Sequence, residues 1–428
     1  MLSTLFESSM NFDSFVIIDK WRTFFEFNLT FATLIIFAER FTVMIDYSYK
    51  YIVIHFGEIW LKGDNRNVFI SRLRKNIAAA LTDIEHGPLE LKRDRFILEL
   101  SENSDVKEIS DRVSKVFGIS WFAPAILVNG NVSDMFGAIR KLASDLGNKP
   151  VRIVVRRSLK KGKDSMEILK ELLALAIKEG VNVDKDSKNI ISANITDFGT
   201  LVYSDKIKGA CGLPVGSSGK VVILLSGGID SPVASYYAMK RGLTPVYLHF
   251  HPFASNKIAE ESKIGEFGRV LSRYSNGASI YFAKADLFQS AVMKMPSKYE
   301  HVLFKRFMYK VAERIAKKEG AEVICTGESL AQVASQTVKN MRASEKGIRL
   351  LMFRPLSGFD KQEIVNEAQR LGTFEISIKP YKDVCSMRLR NPSTSMSADL
   401  VDALYKKYGM AKIVQKTVKG ISHSSWTI

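Results

Sequence analysis

Val221-Val-Ile-Leu-Leu-Ser-Gly-Gly-Ile-Asp-Ser-Pro-Val-Ala-Ser235 decides how this chain is read. Five apolar residues make a buried strand, Ser226-Gly227-Gly228 a tight turn, and Asp230-Ser231-Pro232 the first turn of a helix running to Lys240. The turn therefore lies where a strand feeds a helix. Two residues without side chains let backbone N–H groups converge on one concavity, and the helix N-terminus adds partial positive charge, so a phosphate or pyrophosphate fits there. No lysine follows Gly228, which excludes a Walker A loop. A glycine-rich strand-to-helix turn with no ligand is the plain alternative.

A chain of 428 residues exceeds one small core and predicts several domains. The composition, 46% hydrophobic and 25% charged, is that of an ordinary globular protein, but the formal net charge of +17 is not. Such an excess points to a polyanionic partner, nucleic acid before membrane, because the charge is not confined to one amphipathic helix. A lysine-rich solvated surface is the alternative. Cys211, Cys325 and Cys385 stand far apart with no C-x-x-C pair, which argues for a reducing, cytoplasmic setting and against a disulfide scaffold or a thiolate zinc site.

Residues 1–43 read as an N-terminal extension. The uncharged run 27–38 is shorter than the roughly 20 residues of a spanning helix and has no cleavage signal, so no stable membrane association is expected. From Met44 the pattern becomes strand (51–56), loop, helix (68–81) and strand (96–100), a small ferredoxin-like α+β domain over 44–104. Residues 105–210 form a second unit, with helices at 106–117, 133–146 and 165–178 and strands at 151–155, 190–195 and 201–203. Within it, Lys149, Arg152, Arg156, Arg157, Lys160, Lys161 and Lys163 occur with no acidic residue between them, predicting one phosphate-facing patch or else a solvated loop. Residues 211–399 alternate strands at 244–250, 278–283 and 322–326 with helical stretches, predicting a doubly wound parallel sheet whose ligands sit at strand C-terminal ends. Residues 400–428 are left as a C-terminal tail. The overall class is α/β.

Three sets of motifs carry a resemblance. Ser226-Gly-Gly-Ile-Asp-Ser231 after its strand resembles the loop of the ATP pyrophosphatase (PP-loop) superfamily, whose members split ATP between the α and β phosphates, adenylate a carbonyl oxygen and let a nucleophile displace AMP. Val151-Arg-Ile-Val-Val-Arg-Arg-Ser158, Asp164-Ser-Met-Glu-Ile168 and Tyr203 to Gly216 resemble the THUMP RNA-binding domain and its exit, with Cys211 where the family commonly has glycine. Phe56-Gly-Glu-Ile-Trp-Leu-Lys-Gly-Asp-Asn-Arg66, Gly327-Glu-Ser-Leu-Ala-Gln-Val-Ala-Ser-Gln336-Thr337, Arg354-Pro-Leu356, Asp360-Lys-Gln-Glu-Ile364 and Gly372-Thr-Phe-Glu-Ile-Ser377 are similar to tRNA 4-thiouridine synthetases (tRNA sulfurtransferases).

That resemblance implies an enzyme that adenylates uridine 8 of tRNA with ATP and replaces its O4 with sulfur. The competing reading is another PP-loop enzyme acting on a different tRNA position or a non-RNA acceptor. ATP would contact Ser226, Gly227, Gly228 and Ser231 at the loop, Leu224, Leu225, His249 and Phe250 around the adenine, Lys305 or Arg306 at the α phosphate, and Gly327 and Gln336. Asp230 is the candidate catalytic carboxylate, placed to help hold Mg2+ carried with ATP; no dedicated metal site is read, since His249 and His251 lack a ligand-spaced Cys or carboxylate. Lys62, Arg66, Arg156, Arg157, Lys160 and Lys161 are the candidate tRNA contacts. Cys385, in Lys379-Pro-Tyr-Lys-Asp-Val-Cys-Ser-Met387, matches a family cysteine implicated in sulfur transfer. The tail is too short for the rhodanese domain of some members, so sulfur is expected from a donor such as a persulfide-carrying cysteine desulfurase or free sulfide. A homodimer is compatible with this reading.

Overall fold

Eight strands make the first sheet, in the order β2-β3-β1-β4-β7-β6-β5 with β8 added on β4. Residues 47–158, 162–382, 384 and 392–426 are described by this structure, a computed structural model. The strands are β1 (Tyr51–Phe56), β2 (Leu89–Lys92), β3 (Arg95–Glu99), β4 (Ile119–Val128), β5 (Arg152–Arg157), β6 (Ile190–Thr196), β7 (Gly199–Tyr203) and β8 (Ile207–Lys208). Helices Arg66–Ala80 and Val106–Ser114 bury Leu73, Ile77, Ile109 and Val113 against Ile52, Ile54, Phe96 and Phe122 of the sheet. Asp105 starts the second helix by accepting from the N–H groups of Lys107 and Glu108, which would otherwise lack partners.

β4 corrects the domain boundary drawn at residues 104/105. It pairs with β1 along Ile119–Ala125 and with β7 along Ile126–Val128, so the ferredoxin-like part and the following unit share one continuous sheet. Pro124, inside β4, argues against a strand in the sequence. Lys50 N donates to Ala125 O at 3.2 Å, so residue 125 faces β1 and Pro124 faces the other edge. There β8 pairs only with Trp121 and Phe122 and β7 begins at Ile126, so the missing N–H falls in a gap where no ladder needs it.

The second sheet holds β9 (Lys220–Leu224), β10 (Thr244–His251), β11 (Ala278–Lys284), β12 (Val323–Cys325), β13 (Leu351–Phe353) and β14 (Ser422–Trp426), in the order β13-β12-β9-β10-β11-β14. All pairs are parallel except β11 with β14. Strand alternation sends Val221 and Ile223 to one layer, with helices Asp230–Lys240, Lys263–Ser272 and Lys361–Leu371. Val222 goes to the other, with helices Asp286–Ala291, Glu300–Glu319, Ala398–Lys407 and Met410–Lys419. Residues 400–428 are therefore no appended tail: Val401, Leu404, Met410 and Val414 are buried in this layer and β14 closes the sheet edge.

The two sheets meet through Phe117, tilted against Tyr236 with ring centroids 5.0 Å apart, through the Arg241–Glu58 ion pair at 2.9 Å, and through Asn76 Nδ2 donating to Val215 O at 3.1 Å. Tyr49–Ile428 is one compact unit. Cys211, in the connection, has φ +59°, the left-handed conformation that favours glycine. The extension 1–43 lies outside the described residues. No described helix is long and apolar enough to cross a membrane.

Candidate active site

β10 lies on one side of β9 and β12 on the other, so the chain order reverses at β9 and a crevice opens at the strand ends. The Ser226 loop leaves β9 into this crevice and the Gly327 loop leaves β12 into it. Ser226 N donates to Ser231 Oγ at 2.9 Å and Gly228 N to Ser226 Oγ at 3.3 Å, which curls the loop around its own serines. No side chain caps the helix that begins at Asp230, leaving its first N–H groups for a ligand. Gly327 is required by contact: a Cβ there would lie 2.7 Å from Ser231 N. At Gly227 a Cβ would meet the Tyr381 ring at 2.8 Å and Lys263 at 2.9 Å. Both glycines thus press neighbouring chain onto the phosphate-sized hollow.

The crevice is a cavity of about 380 Å³, within the range of small-molecule sites. Leu224, Leu225 and Phe250 supply apolar wall, and Ser226, Asp230 and Ser231 a polar end. Leu225 N–H donates to Leu248 O, and Leu225 C=O accepts from His249, which fixes this backbone at the edge of the cavity. Gln336 also lines the cavity, and its buried side-chain oxygen has no partner among the described residues. An unpaired buried acceptor is costly, which suits a site completed by a ligand donor.

Of the Lys305/Arg306 alternative, the structure brings only Lys305 to the cavity. Arg306, 3% exposed, turns away to Asp402 and the carbonyl of Ala343, and the sequence reading is corrected accordingly. Consecutive helical residues point about 100° apart, so one cavity takes only one of them. Lys305 Nζ is held by Glu328 Oε1 at 2.5 Å, while Glu328 Oε2 accepts from Arg354 Nε at 2.8 Å, Thr326 Oγ1 at 2.9 Å and Tyr309 OH at 3.0 Å. Burial opposes the Glu328 charge, but Lys305 and Arg354 outweigh it and hold the carboxyl at about 2. Glu328→Gln, which leaves two cations facing a neutral group, is expected to lower unfolding stability by about 3 kcal/mol in urea titration. A loss below about 0.5 kcal/mol would show that solvent already compensates those charges.

Asp230 is paired with Lys361 at 2.6 Å, and Gln332 Nε2 reaches its other oxygen at 3.5 Å. Lys361 belongs to the Asp360-Lys-Gln-Glu-Ile364 motif, which carried no assigned role, and its charge is directed at the loop. Asp360 and Glu363 form a capping box that fixes the start of that helix and so the root of Lys361.

His249 is buried behind the loop rather than in the cavity wall. Its Nδ1 meets Leu225 O at 2.8 Å and its Nε2 meets Tyr381 OH at 2.7 Å. Burial, against the Leu225 carbonyl, pushes its pKa down to about 4, so Nδ1 carries the hydrogen and Tyr381 donates to Nε2. Lys263 Nζ donates to the carbonyls of Ser377 (2.7 Å) and Lys379 (2.9 Å), pinning the same segment from beneath. Among the described residues no group of three or more His, Cys, Asp or Glu could hold a metal ion. Cys385 lies outside the described residues; Val384 and Pro392, on either side of its segment, line the cavity.

Strand alternation separates two predicted RNA contacts. Arg152 and Arg156 share one face of β5, bordering a cleft of about 300 Å³ with Lys188 and Lys206, whereas Arg157 donates to the loop carbonyls of Gly162 and Lys163. Lys160 and Lys161 lie outside the described residues. Lys62 sits over the Phe69 ring at 5.1 Å and Arg66 over Trp60 at 4.7 Å.

A glycine-serine loop at the switch point of a parallel sheet, opposite a second glycine loop and joined to a ferredoxin-like domain, defines an enzyme of the PP-loop ATP pyrophosphatase class. Family models described as "Thiamine biosynthesis protein (ThiI)" and "ThiI ferredoxin-like domain" match residues 216–410 and 51–123. A curated protein named "Probable tRNA sulfurtransferase" from Natranaerobius thermophilus is 36% identical over 397 residues, covering 87% of this chain and 94% of that one. One of the same name from Staphylococcus aureus is 33% identical over 382 residues, covering 87% and 93%. A crystal structure of a 4-thiouridine synthetase–RNA complex with bound ATP superposes with a TM-score of 0.80 at 32% identity, over 89% of this chain and 100% of that one. The chain belongs to the ThiI family of tRNA sulfurtransferases.

Proposed function

We propose that this chain uses ATP to adenylate O4 of uridine 8 in tRNA and then replaces that oxygen with sulfur, giving 4-thiouridine. The uridine O4 attacks the α phosphorus, pyrophosphate leaves, and sulfur adds at C4 as AMP departs. The observation that carries this reading is the cavity at the switch point, whose lining includes both Ser226 and Ser231 of the loop and Val384 and Pro392, the flanks of the Cys385 segment. Adenylation and sulfur delivery need a common C4, and a shared cavity supplies it.

The loop amides, the uncapped helix start and Lys305 suit the triphosphate, and the unpaired Gln336 oxygen suits the nucleotide's amino or hydroxyl donors. Magnesium is proposed as the counter-ion of ATP. Asp230 is its one candidate protein ligand, already paired with Lys361, and no step here depends on the ion's position. The sulfur is proposed to come from a persulfide-carrying cysteine desulfurase or free sulfide. The cytoplasm is the proposed compartment, with the protein acting alone or as a homodimer.

The test is AMP release from ATP with and without unfractionated tRNA, followed by nucleoside chromatography. AMP release independent of tRNA would favour a non-RNA acceptor. For tRNA binding, Arg156→Ala is expected to weaken affinity and reduce the slope of log K against log salt by about one phosphate contact. Unchanged slope would make the β5 cleft a solvated surface only.

A further inference from the structure

His301 lines the cavity but has no part in the nucleotide contacts described above. It lies in the first turn of helix Glu300–Glu319, four residues before Lys305, so both side chains share one helix face, and both line the cavity. Lys305 is tied to Glu328, and the adjoining Gly327 packs on Ser231 of the phosphate loop. His301 is thus about one helical turn, roughly 5 Å, along the helix from Lys305.

Its ring is fixed in one tautomer. His301 Nε2 is 3.2 Å from Ser393 O, and a carbonyl only accepts, so Nε2 carries the hydrogen. Ser393 O is itself held by Asn340 Nδ2 at 2.7 Å, and Asn340 Oδ1 by Met396 N at 2.8 Å. His301 Nδ1 is left as a bare acceptor, buried and without a partner among the described residues. Burial lowers the pKa, Lys305 adds to that, and the Ser393 carbonyl acts against both, with a neutral ring as the net result.

Adenylating a uracil at O4 demands such an acceptor. In uridine, C4 is a carbonyl and N3 bears hydrogen; once O4 is bonded to phosphorus, the electron pair of N3–H must become the C4=N3 bond. Resting on the function proposed above, we propose that His301 Nδ1 is the general base that takes the N3 proton of the target uridine. The O4–Pα bond forms, the bond from Pα to the bridging oxygen breaks, pyrophosphate leaves with that pair, and the proton resides on the imidazole until pyrophosphate or water accepts it. The same atom selects the base. Cytidine presents a lone pair at N3 and would meet the Nδ1 lone pair, so it gains no bond and is repelled.

His301→Ala is expected to bind ATP and tRNA within a few-fold of the parent but to release AMP with tRNA about 10²-fold or more slowly, and added imidazole is expected to restore much of that rate. His301→Gln is expected to stay slow, because an amide accepts a hydrogen bond but no proton. AMP release by His301→Ala within a few-fold of the parent would overturn the proposal. So would a loss that imidazole does not relieve while both ligands still bind, which would make the residue structural. A parent enzyme that releases no AMP with tRNA would instead contradict the function itself.

Discussion

Asp230→Ala is expected to abolish tRNA-dependent AMP formation, a fall of about 10³-fold or more in kcat/KM, while tRNA affinity stays within a few-fold. The carboxylate opens the helix whose N-terminus faces the cavity, and it holds Lys361 at 2.6 Å. Removing it takes away the one carboxylate at the polar end of the loop and the partner that orients a cation there. The basic cleft on β5 belongs to the other sheet and touches neither group, which is why RNA binding should survive. Lys361→Met is expected to share much of the loss, and the double variant to fall little further, because paired groups acting as a unit are not additive. Normal turnover in Asp230→Ala would remove the loop from the chemistry.

Cys385→Ser is expected to separate the two halves of the reaction. The variant should still release AMP with tRNA, since the loop, Lys305 and Glu328 are untouched, yet form little 4-thiouridine from a persulfide donor. Serine cannot carry sulfane sulfur or form the disulfide that resolves a donor persulfide. Tyr381, bonded to His249, and Lys263, bonded to the carbonyls of Ser377 and Lys379, anchor the chain just upstream of this cysteine. The span from Tyr381 to Cys385 reaches at most about 14 Å when extended. Thiolation that persists with sulfide but fails with persulfide marks Cys385 as a carrier or resolving thiol. Full activity with both donors would leave it no part in sulfur transfer.

What the sequence disclosed was local. The strand–loop–helix at 221–240 and the parallel alternation that follows are written in contiguous apolar runs and glycines, and they led to the switch point directly. The network around Glu328 was not legible, because helix Glu300–Glu319 with Lys305 and Tyr309, the loop after β12 with Glu328, and Arg354 after β13 are distant in sequence and meet only when the sheet orders β13 beside β12. Arg156 and Arg157 looked like one patch, although a period of two sends neighbours to opposite faces. β4 was hidden by Pro124, and β14 by a polar Ser-His-Ser-Ser-Trp pattern that suits a sheet edge and resembles a loop. His301 gave no signal: its role depends on a carbonyl 92 residues away.

The central claim is that one cavity serves ATP cleavage and sulfur insertion on tRNA. Purified protein incubated with ATP, tRNA transcribed without modification and sulfide should yield 4-thiouridine and AMP in equal amounts by nucleoside and nucleotide chromatography, with 4-thiouridine confined to position 8. AMP without 4-thiouridine, or thiolated nucleoside at another position, would contradict it.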